Sequence, residues 1–132
     1  CDNCIACPRY NANSDEELQA VAELWYRVGW RDRIVSSKEI NCTGCHSHKQ
    51  STYQLVDCTK VHEVEKCNQC NYYPCDRSSQ MLVRSKEYQV RCKEVCTPDK
   101  YKQLVKAFFD KENNLATKCL NYAKKIALKE NC

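Results

Sequence analysis

The sequence predicts a small, mainly α-helical domain, and three observations carry that expectation. Apolar residues recur every three or four positions through 18–28, 81–96 and 101–126, which is the period of a helix face. Start and stop signals for helices bracket those stretches. Only two glycines and three prolines occur in 132 residues, too few for a loop-rich scaffold. Nine of the thirteen cysteines fall in the first 75 positions, at spacings that suit metal ligands. The expected architecture is therefore a metal-stapled domain. Residues 1–76 form a cysteine-rich metal module of irregular loops and knuckles, and residues 77–132 a helical segment packed on it, one domain overall.

A chain of this length buries roughly two thirds of its unfolded surface. Here the apolar residues are thinly spread, and thirteen of those counted as hydrophobic are cysteines. Convergence of sulfur on shared ions is expected to replace a conventional interior. The odd cysteine count and the CxxC pairs argue against a secreted disulfide framework and for reduced, metal-bound, cytoplasmic thiols. No run approaches the ~18 apolar residues of a membrane span, and no signal-peptide pattern is present. The chain begins at Cys1 without Met, so the native start is expected to be missing or processed away. Charge is uneven: residues 1–75 carry a net −2 and residues 76–132 a net +6.

Taken in order, Cys1-Asp-Asn-Cys4-Ile-Ala-Cys7-Pro8 is a tight run of three thiols, with Pro8 stiffening its exit and Arg9 placed to offset thiolate charge. Ser14 to Val28 reads as the first helix. Ser14 and Glu17 match a capping box, Asp15 and Glu16 favour the N-terminal dipole, and Gly29 suits the left-handed residue that ends a helix. Trp25 reads as a core anchor. Trp30-Arg31-Asp32-Arg33 reads as a charged connector with local ion pairing. Ser36 to Ile40 is a short helical turn that delivers the chain to Cys42-Thr-Gly-Cys45, where Gly44 permits a tight knuckle. A small hairpin is expected at one knuckle.

Residues 46–57 lack periodicity and read as a loop; His46, His48 and His62 read as surface or supporting histidines. Cys58 to Cys67 suggests a helical turn or two. From Ser78 a second helix runs through Met81, Leu82, Tyr88 and Cys92 to Cys96. Thr97-Pro98-Asp99 ends it and starts a third, through Tyr101, Leu104 and Phe108. Asp110 to Asn114 interrupts, and Leu115, Cys119, Tyr122 and Ile126 carry the pattern on. Cys92, Cys96 and Cys119 read as small apolar core residues, and Cys132 as a frayed end.

Cys1, Cys4, Cys7, Cys42, Cys45, Cys58, Cys67, Cys70 and Cys75 are the candidate metal ligands. Thiolates hold zinc tetrahedrally at about 2.3 Å, and a CxxC pair turns two sulfurs toward one ion. Cys42/Cys45 and Cys67/Cys70, 21 residues apart, are expected to close one four-sulfur site. Cys1, Cys4 and Cys7 then take Cys75 or Cys58 as a fourth ligand, though the two groups are free to exchange partners. Nine thiols fit two zinc ions with one spare, Cys58, or a three-zinc cluster with bridging sulfur. An iron–sulfur cluster is the alternative, because the first run with its adjacent proline echoes a ferredoxin motif.

CxxCxxCPRY, VAELWYRVG followed by RDR, EI-x-C-x-G-C, and Cys58-x8-Cys67-x2-Cys70-x3-Pro74-Cys75 together resemble domain-of-unknown-function family 3795. This is a cysteine-rich group of bacterial and archaeal proteins. The resemblance covers residues 1–76 and continues weakly through FFDKENNL. Members commonly open with Cys-Gly and a longer first spacing, and many carry an extra cysteine before Cys58, where this chain has none. The resemblance implies a zinc-binding, cytoplasmic, prokaryotic protein and no established activity.

The leading functional expectation is a zinc-binding structural or interaction module of unknown cellular role and unknown partner, a protein being one candidate. No nucleotide-binding glycine loop, HExxH or serine elbow is present, so the sequence leans away from catalysis. One alternative is an iron–sulfur or thiol redox protein. Another is a nucleic-acid-binding accessory protein, with Lys100, Lys102, Lys106, Lys118, Lys124 and Lys125 on phosphate and Tyr101 and Tyr122 beside bases.

Overall fold

The computed structural model describes residues 2–44 and 54–116. Seven α-helices occur among them: α1 Pro8–Asn11, α2 Asp15–Arg27, α3 Ser37–Ile40, α4 Gln54–Val61, α5 Asp76–Val95, α6 Pro98–Leu104 and α7 Lys111–Ala116. A 3-10 turn spans Cys67–Gln69 and a π-helical turn Val105–Phe109. The mainly helical expectation holds. No strand occurs among the described residues, so the hairpin expected at a knuckle is absent from them. Cys1, Cys45, His46, His48, Lys118, Cys119, Tyr122, Lys124, Lys125, Ile126 and Cys132 lie outside the described residues.

Local chemistry explains α2 closely. The Ser14 hydroxyl accepts from the Glu17 N–H at 3.1 Å, while the Glu17 carboxylate accepts from the Asn13 N–H at 2.6 Å rather than from Ser14 itself. At the other end the Gly29 N–H donates to Tyr26 and the Trp30 N–H to Trp25, the paired bonds of a Schellman close. Gly29 sits at φ +83°, which only glycine adopts without strain. The helix α3 is shorter than a full capping box: Ser36 accepts from the Glu39 N–H, but the Glu39 carboxylate pairs outward with Arg33. Helix α4 starts at Gln54, so residues 54–57 are helical and not loop.

A conventional interior does exist, contrary to the expectation that metal replaces one. Ala22, Val28, Ile40, Cys92 and Leu104 are fully buried in one cluster with Leu18, Val21, Leu24, Trp25 and Val35. Burial of a Val, Leu or Ile side chain contributes about 1.5–3 kcal/mol, so this cluster is a substantial stabilising term. It draws on both sequence halves, with α2 and α3 from the first and α5 and α6 from the second. Trp30, read as part of a charged connector, is instead a hub. Its ring meets Trp25 at 4.8 Å, Phe108 at 5.2 Å, Tyr88 at 5.8 Å and Phe109 at 6.2 Å. Edge-on contacts of this kind add about 0.5–1.5 kcal/mol each beyond area burial.

Two arginines cross between α2 and α5. Arg27 donates to the Val95 carbonyl at the end of α5, and Arg91 donates to the Val28 carbonyl at the end of α2. Each guanidinium meets the negative end of the other helix, where cations are favoured. A methyl built on Gly29 would lie 2.1 Å from the Arg91 Nη1. Gly29→Ala is expected to cost about 1–3 kcal/mol in urea unfolding, from the positive φ and the displaced guanidinium. Truncating Arg91 to Ala in the same chain should return the steric share of that loss and leave the backbone share.

Burial pushes the Cys92 thiol up to about 12, helped by the neighbouring Cys96 sulfur, and burial also raises Cys96. A thiol whose folded pKa lies above its unfolded value stays protonated in the native state while the unfolded state ionises. Its stabilising share is therefore complete below the ordinary value of 9.0 and lost as pH rises through about 12. The thermal midpoint is expected to fall above about pH 9, and to fall less steeply in Cys92→Ala. Equal slopes for the two proteins would contradict that assignment.

Candidate metal centre

Four thiols meet at one cavity. Helix α4 carries Leu55, Cys58, Thr59 and His62 along one side toward it. The helix then closes with Glu63 at φ +53°, and the Val64 N–H reaches back to Thr59 at 3.0 Å. That left-handed residue reverses the chain toward Lys66, which enters the 3-10 turn. The Gln69 side chain accepts from the Glu65 and Lys66 N–H groups at 3.0 and 3.1 Å. The Cys70 N–H donates to the Cys67 carbonyl at 3.1 Å, which tightens the CxxC knuckle. Cys75 stands at the N-terminus of α5. The cavity they share measures about 20 Å3, and Cys58, Cys67, Cys70 and Cys75 line it with His62 and Arg77.

The Ser78 backbone N–H at the start of α5 holds the Cys75 thiol below the ordinary range, with help from the Ser78 hydroxyl and against burial and the nearby Cys67 sulfur. Ser78 completes the loop by accepting from the Cys75 N–H at 3.0 Å and donating to the Cys75 carbonyl at 2.8 Å. A thiolate at a helix N-terminus is the form that binds metal.

A second set gathers around Tyr10. Cys4, Cys7 and Cys42 are 3%, 7% and 7% exposed. The Cys7 N–H donates to the Cys4 carbonyl at 3.1 Å, the same knuckle bond as in the first set. Asn11 braces the turn through the Ile5 carbonyl at 2.7 Å and the Cys7 carbonyl at 2.9 Å. Burial raises the Tyr10 phenol, and the thiols of Cys4 and Cys42 both add to the rise. The Gly44 N–H points at the Cys42 sulfur at 3.4 Å. Arg9 donates to the Ile40 and Asn41 carbonyls and clasps the Cys42 segment to α1.

Cys58 and Cys75 line the cavity with Cys67 and Cys70, and Cys42 is not among its lining residues. Arg9 instead ties the segment before Cys42 to α1, next to Cys7. Cys1 and Cys45, the other members of the expected sets, lie outside the described residues. Chain entropy gives the reason: closing Cys58, Cys67, Cys70 and Cys75 needs only short loops, and loop cost rises with length. The order of the cysteines along the chain carried that signal, and matching CxxC pairs across a long loop overrode it.

The donor types and number in the cavity fit one tetrahedral ion. Zinc held at about 2.3 Å needs sulfurs about 3.8 Å apart. Among the described residues, no three His, Cys, Asp or Glu side chains already stand at such spacing. The four thiols ring a cavity and do not meet at a point, so seating an ion needs their side chains to turn inward. The basic face is partly spent inside: Lys66 and Lys111 are buried, and Tyr101 packs on the core with its hydroxyl accepting from Gln89 at 3.2 Å.

No helix among the described residues is long and apolar enough to cross a membrane. Compared with known proteins, residues 1–80 match the family model described as protein of unknown function DUF3795. No curated protein and no solved structure matches the chain. The matched stretch contains all nine candidate thiols and ends in the first turns of α5, and the chain belongs to this family.

Proposed function

We propose that the protein is a non-catalytic metal-binding module that holds about two zinc ions through thiolates in a reducing, cytoplasmic setting. The observation that carries this reading is that Cys58, Cys67, Cys70 and Cys75 line one cavity of about 20 Å3. Four sulfurs of this kind are the donor set of a structural zinc site, which leaves no open position for substrate. Cys4, Cys7 and Cys42 would contribute to the second ion. None of the nine described cysteines is bonded in a disulfide to another of them, in keeping with reduced thiols. Bound zinc would supply cross-linking, and this chain's part is to bring α4, the knuckle and the start of α5 to one place. The cellular role that follows is structural or interactive.

Elemental analysis of protein purified without oxygen is expected to give about two zinc per chain and no visible absorption band. Brown protein with iron and sulfide would put an iron–sulfur cluster in the same thiols and overturn the zinc reading. Cys70→Ser is expected to lower the zinc content to about one. Because the α2–α5–α6 core contains no candidate ligand, metal removal should unravel residues 54–78 before α2. Amide exchange that speeds up in α2 as early as in α4 would contradict that order.

A further inference from the structure

We infer that the two thiol sets differ in lability, and that the Cys58/Cys67/Cys70/Cys75 cavity is an exchangeable site for a soft divalent cation. The Cys4/Cys7/Cys42 set is closed, and its ion leaves only when the core opens. This rests on the metal reading given above and goes beyond it by assigning different roles to the two sites.

Burial separates the sets first. Cys4, Cys7 and Cys42 are buried, whereas Cys58, Cys67, Cys70 and Cys75 are all partly exposed. Packing separates them again. Cys4 and Cys7 belong to an apolar cluster with Tyr10 and fully buried Ala107, and Phe108 packs on both that cluster and the main core. The same wall is tied down by the Asn3 N–H on the Ala107 carbonyl at 2.7 Å and by the buried Asp2–Lys111 ion pair. Exposing these sulfurs therefore breaks into the main core. No thiol of the other set belongs to either apolar cluster among the described residues. Its segment is held partly through Lys66 and Asn68, which both donate to the Leu115 carbonyl, at 3.2 and 3.3 Å. Val61 and Tyr72, on the two arms of that segment, are 77% and 72% exposed.

Local opening costs least where few apolar contacts break. An incoming thiol or chelator can reach the open set from solvent and displace its cysteines one at a time. Each step exchanges one metal–sulfur bond for a bond to the incoming donor. With a thiol, the proton it loses goes to the released cysteine, so no oxidant is needed. The exchange partner is thus a soft chelator, such as a small thiol or the thiolates of another protein.

The test uses the full, zinc-loaded chain and excess of the colorimetric chelator pyridylazoresorcinol. Two release phases are expected, separated by about tenfold or more in rate. Cys70→Ser should abolish the fast phase and keep the slow one. A pulse of N-ethylmaleimide on the wild-type chain, read by peptide mass spectrometry, should label Cys58, Cys67, Cys70 and Cys75 before Cys4, Cys7 and Cys42. A single release phase, loss of the slow phase in Cys70→Ser, or simultaneous labelling overturns the asymmetry and leaves the metal reading standing. A chain that takes up no zinc overturns the metal reading itself.

Discussion

The π-helical turn at Val105–Phe109 is the constraint on which the architecture depends. A π turn adds a residue to the helical repeat, and here it puts Leu104, Ala107, Phe108 and Phe109 to work on different walls. Leu104 is fully buried in the main cluster, and Phe108 and Phe109 pack against it. Ala107 turns to the N-terminal thiols, and Phe108 touches both sides. One short segment thus joins an ordinary apolar core to a pocket of sulfur. The Asp110 N–H closes the turn on the Val105 carbonyl at 2.9 Å before α7 begins.

The helices were legible because their ends are written locally. Ser14, Gly29 and the Thr97-Pro98 pair each act through bonds within a few residues, so the sequence alone carries them. Trp30 was not legible, because its value comes from Tyr88, Phe108 and Phe109, far along the chain. The carbonyl contacts of Arg27 and Arg91 are hidden for the same reason: each reaches a residue more than sixty positions away. Spacing singles out nine candidate thiols as a set. Their division could not, since a CxxC pair says that two sulfurs turn together and nothing about which other sulfurs they meet.

Charge shows a similar limit. The second half of the chain counts as strongly basic, yet Lys111 is spent on Asp2 inside the fold and Lys66, from the first half, is spent on the Leu115 carbonyl. Buried pairs of this kind contribute little net stability, because desolvation offsets attraction. Their effect here is to set register: Lys111 fixes α7 against the N-terminal segment, and Lys66 fixes the knuckle against the end of α7. The net charge of the second half counts Lys111, which is paired with Asp2.

The wall behind Cys4 and Cys7 has a consequence for how the protein is made. A nascent chain leaves the ribosome from its N-terminus, so those two thiols emerge before the residues that cover them. Ala107 and Phe108 and the Lys111 partner of Asp2 appear about a hundred residues later, a separation that makes the pairing slow to form. Until then these sulfurs, 3% and 7% exposed in the folded protein, lack that wall. The newborn polypeptide is therefore open to oxidants and stray metal at positions the finished one covers.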